Sequence, residues 1–75
     1  MNARDWIAAF ADRLGTEPPS SAEWSVLLDL AGVAAHASER VAAPVSCWVA
    51  ARANVSPQGA LEAAREISPP EGFSG

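Results

Sequence analysis

The sequence predicts an all-α fold, a compact four-helix domain with a long central second helix. Two observations lead to it. Apolar residues recur at three- and four-residue spacing through four successive segments. Capping residues or prolines punctuate those segments, with Asn2, Ser20, Pro44 and Ser56 as starts and Gly15, Pro44 and Asn54 as stops.

The first helix is expected from Asn2 as its cap to Gly15 as its stop, with Asp5 three residues after the cap in a variant of the capping box. Trp6, Ile7, Phe10 and Leu14 share one face at helical spacing, so they are expected to pack into the core. A turn follows at TEPPS, where two prolines remove backbone donors and turn the chain away from helix.

Ser20 with Glu23 forms a capping box that opens the second helix, expected over residues 21–41. Trp24, Leu27, Leu28, Ala31 and Ala35 make one apolar face, and Leu30, Val33, Ala34, Ala37 and Val41 widen it past half the circumference. A helix so apolar belongs in the middle of a bundle, contacted from two sides.

Pro44 interrupts that helix and suits the start of the third, expected over residues 44–53. Val45, Trp48 and Val49 lie on one side and Cys47, Ala50 and Ala51 on the other, with Arg52 as the one charge. Such a helix is either buried or lies against something outside the chain. Asn54 ends it, and Ser56 followed by Pro57 opens the fourth helix over residues 57–67. That helix is expected to bury Leu61, Ala64 and Ile67 and to expose Glu62, Arg65 and Glu66. Residues 1–67 then form one domain, and residues 68–75 read as a disordered tail rich in proline and glycine with a lone Phe73.

With 75 residues, the chain has room for one domain and none for a large enclosed active site. So small a core implies marginal stability or a partner that covers more apolar surface. One cysteine excludes an internal disulfide and a four-cysteine zinc site, and no membrane span or signal peptide is legible. A cytoplasmic location is the resulting expectation. The net charge of −4, with five arginines and no lysine, disfavours binding to a phosphate backbone.

The polar residues of the second helix form one narrow stripe of Ser25, Asp29, Gly32, His36, Glu39 and Arg40, aligned along the axis. Either it is a solvated face or it recognises a partner. Gly32 favours recognition, because a mid-helix glycine costs about 1 kcal/mol relative to alanine and often marks a close approach.

Catalysis finds less support. His36 and Cys47 are the residue types of a thiol enzyme, but no glycine-rich oxyanion element accompanies them. His36 and Glu39 have the spacing used in helical di-iron sites, yet those sites need several such pairs and this chain has one histidine. No phosphate-binding glycine loop is present, so no catalytic residue, metal or cofactor is expected. The stretch ARANVSPQGALEAAREI resembles a DNA-binding helix-turn-helix in outline, but Glu62 and Glu66 outnumber Arg65 on its second helix.

The segment HASERVAAPVSCW, preceded by LLDLAGVAAH and followed by ARANVSPQGALEAAR, resembles a small uncharacterised bacterial helical domain. That domain occurs alone or appended to molybdenum cofactor guanylyltransferase proteins, which make molybdopterin guanine dinucleotide. The resemblance implies an accessory role near cofactor maturation, not nucleotidyl transfer itself. It marks His36, Glu39, Arg40 and Pro44 as the signature. The expectation is therefore a non-enzymatic interaction module whose binding residues are Asp29, His36, Glu39, Arg40 and Pro44. Its expected partner is a molybdenum cofactor transferase, a molybdoenzyme or a second copy of the chain. The rival classes are a DNA-binding protein and a small metal or thiol enzyme.

Overall fold

The computed structural model describes residues 1–68 and contains four helices in the predicted order. The expected tail, Phe73 included, falls outside the described residues except for Ser68.

Helix α1 spans Ala3–Leu14. Asn2 Oδ1 accepts the Asp5 N–H at 2.8 Å, and Gly15 closes the helix at φ 76°, a left-handed conformation that glycine adopts without steric cost. The N–H groups of Gly15 and Thr16 then donate to the carbonyls of Asp12 and Ala11.

Helix α2 spans Ser21–Ala37, and its capping box is complete. Ser20 Oγ accepts the Glu23 N–H at 3.1 Å, while Glu23 Oε1 accepts the Ser20 N–H at 2.8 Å. Periodicity extends this helix to residue 41, whereas it ends four residues earlier. Ser38 leaves helical geometry at φ −139°, ψ −95°, and its Oγ donates back to the Ala34 carbonyl at 3.1 Å. A serine that offers its own hydroxyl to a carbonyl of the last turn competes with helix continuation.

Helix α3 spans Ala42–Ala53, two residues ahead of the proline that was expected to open it. Pro44 is its third residue, where a missing N–H costs nothing because the first-turn N–H groups have no partner within the helix. Asn54 ends α3 at φ 63°, and Ser56 Oγ caps helix α4, Pro57–Glu66, by accepting the Gly59 N–H at 3.0 Å.

The core sits where α3 and α4 both pack against α2. Leu30 of α2 and Leu61 of α4 are each 3% exposed and, with Ala60, form the buried cluster. Val26, Val33, Cys47, Ala50 and Ala64 pack around it. The central position expected of α2 is thus what folds.

Two expectations about burial, for α1 and for Ile67, are corrected, and the alternative left open for α3 is resolved. Trp6, Phe10 and Leu14 are exposed, Trp6 to 53%, and Ala11 is the buried residue of α1. That helix is not among those packed extensively against α2, so its apolar face has no extensive counterpart among the described residues. On α3 the small side, Cys47 and Ala50, faces the core, whereas Val45, Trp48 and Val49 remain exposed. Ile67, expected in the core, lies one residue beyond α4 and is 85% exposed.

The extents of 45 × 26 × 20 Å and a radius of gyration of 13.6 Å reflect this arrangement. About 11 Å is the expectation for a chain of this length packed around one centre.

Candidate functional site

Asp29, Gly32 and His36 follow one another at helical spacing along α2, so they open on the same face. Arg65, in the last turn of α4, comes to the same place because α4 packs beside α2. Together with Leu28 and Val33 these residues border a shallow depression of about 390 Å³. It offers a carboxylate, an imidazole and a guanidinium fork around a floor that has no side chain at Gly32.

The close approach expected at Gly32 is corrected. A Cβ added there would meet nothing within 4 Å, so the glycine accommodates no close approach among the described residues. Its cost of about 1 kcal/mol relative to alanine has no compensation in the fold itself.

Three of the other expected binding residues lie elsewhere. Glu39 and Arg40 occupy the turn between α2 and α3, where their carbonyls accept the Ala42 and Ala43 N–H groups at 2.9 and 3.1 Å. They start α3 and do not extend the α2 stripe. Pro44 is exposed in the first turn of α3, away from the residues that line the depression. Cys47 is half-buried against the Leu30 cluster and does not line the depression that His36 borders. Among the described residues no group of three histidine, cysteine or carboxylate side chains is placed to hold a metal ion. On α4, Glu62, Arg65 and Glu66 are all exposed, the acidic balance read from the sequence.

A second concave surface lies between α3 and α4. It is a groove of about 470 Å³ with Leu30 at its base and Val45, Val49, Val55, Ala60 and Ala64 among its walls. Trp48 stands exposed on the same helix, with the Arg52 guanidinium 5.5 Å from its ring centroid. On α1 the rings of Trp6 and Phe10 stack with centroids 5.1 Å apart. The described residues therefore include an apolar groove and an apolar ridge.

The sequence reading missed Arg65 as a neighbour of His36, because the two are far apart in the chain and only helix packing brings them together. It did contain the signal for the groove, an α3 that is apolar on both sides.

No helix among the described residues is long and apolar enough to cross a membrane. No curated protein and no solved structure gives a significant match to the chain. A family model described as a domain of unknown function, DUF6457, matches residues 1–69, which include all four helices, and the chain belongs to that family.

Proposed function

We propose that the chain is a small non-enzymatic interaction module that buries its exposed apolar helix faces against another protein surface. The observation that carries this reading is the exposure of Val45, Trp48 and Val49 along α3 beside an apolar groove. Contiguous exposed apolar surface beyond a few hundred Å² marks interaction sites in folded proteins. Tryptophan and arginine, paired here at Trp48 and Arg52, are the residues most enriched among energetically dominant interface positions.

The polar depression supplies specificity in this reading. Arg65 presents a planar fork suited to a partner carboxylate, and Gly32 lets a partner backbone come close. The sequence resemblance to domains appended to molybdenum cofactor guanylyltransferases supports that transferase as the partner to try first.

Calorimetric titration of the purified transferase with the full chain tests the reading. Saturable binding that Trp48→Glu abolishes, with helicity unchanged, supports it. Absence of binding removes the cofactor link. Absence of any association, with the transferase or with itself, removes the interaction reading.

A further inference from the structure

We draw no further inference here: the strongest candidate, the apolar groove between α3 and α4 walled by Val45, Val49 and Val55, carries none because nothing in the structure shows what covers it.

Discussion

The guanidinium carbon of Arg4 lies 4.6 Å from the centroid of the Trp24 ring, a cation–π contact that ties α1 to the start of α2. A contact of this kind at an exposed site contributes about 0.5–1 kcal/mol. The contact adds to the burial of Ala11 in holding that helix to its own chain.

Arg4→Ala is therefore expected to loosen α1 selectively. Amide hydrogen exchange in α1 should accelerate several-fold, while α2 and α4 keep their protection. Equal acceleration in all four helices would mean that α1 is an integral part of the core.

Gly32→Ala is expected to stabilise the fold by up to about 1 kcal/mol, because the added methyl group meets open space and alanine is the better helix former. Urea unfolding measures it. The same methyl group occupies the floor of the polar depression, so binding of any partner there should weaken although the fold is firmer. A destabilised Gly32→Ala variant would contradict the open geometry.

Leu61→Ala removes one of the most buried side chains and is expected to cost about 2–5 kcal/mol, enough to abolish cooperative unfolding of so small a core. Ile67→Ala, by contrast, should change stability by less than about 0.5 kcal/mol, because Ile67 packs on almost nothing. Circular dichroism in urea separates the two. A large loss at Ile67 would restore it to the core.

The caps were readable because each is a local contract between a side chain and a backbone group three residues away. Asn2, Ser20 with Glu23, and Ser56 all make the predicted bonds, and Gly15 and Asn54 take the left-handed stops. The corner between α2 and α3 was not readable from periodicity. Alanines are apolar at every register, so the pattern gives no signal when Ser38 diverts the chain.

Burial was less legible still. The spacing of Trp6, Phe10 and Leu14 correctly announces an apolar face, but spacing cannot say whether that face is covered within the chain or by another. The same ambiguity applies to α3, where packing chose the small side with Cys47 and Ala50 and left Trp48 outside. Of the polar stripe, Asp29, Gly32 and His36 stay together, Glu39 and Arg40 leave with the turn, and Arg65 arrives from α4.

The central claim is that the exposed apolar face of α3, with Trp48 at its middle, is an interaction surface. Calorimetric titration of the molybdenum cofactor guanylyltransferase with the full chain and with Trp48→Glu tests this most directly. Saturable binding by the full chain, abolished in the variant while its helicity is kept, is the predicted result. No association of the full chain with the transferase or with itself would contradict it.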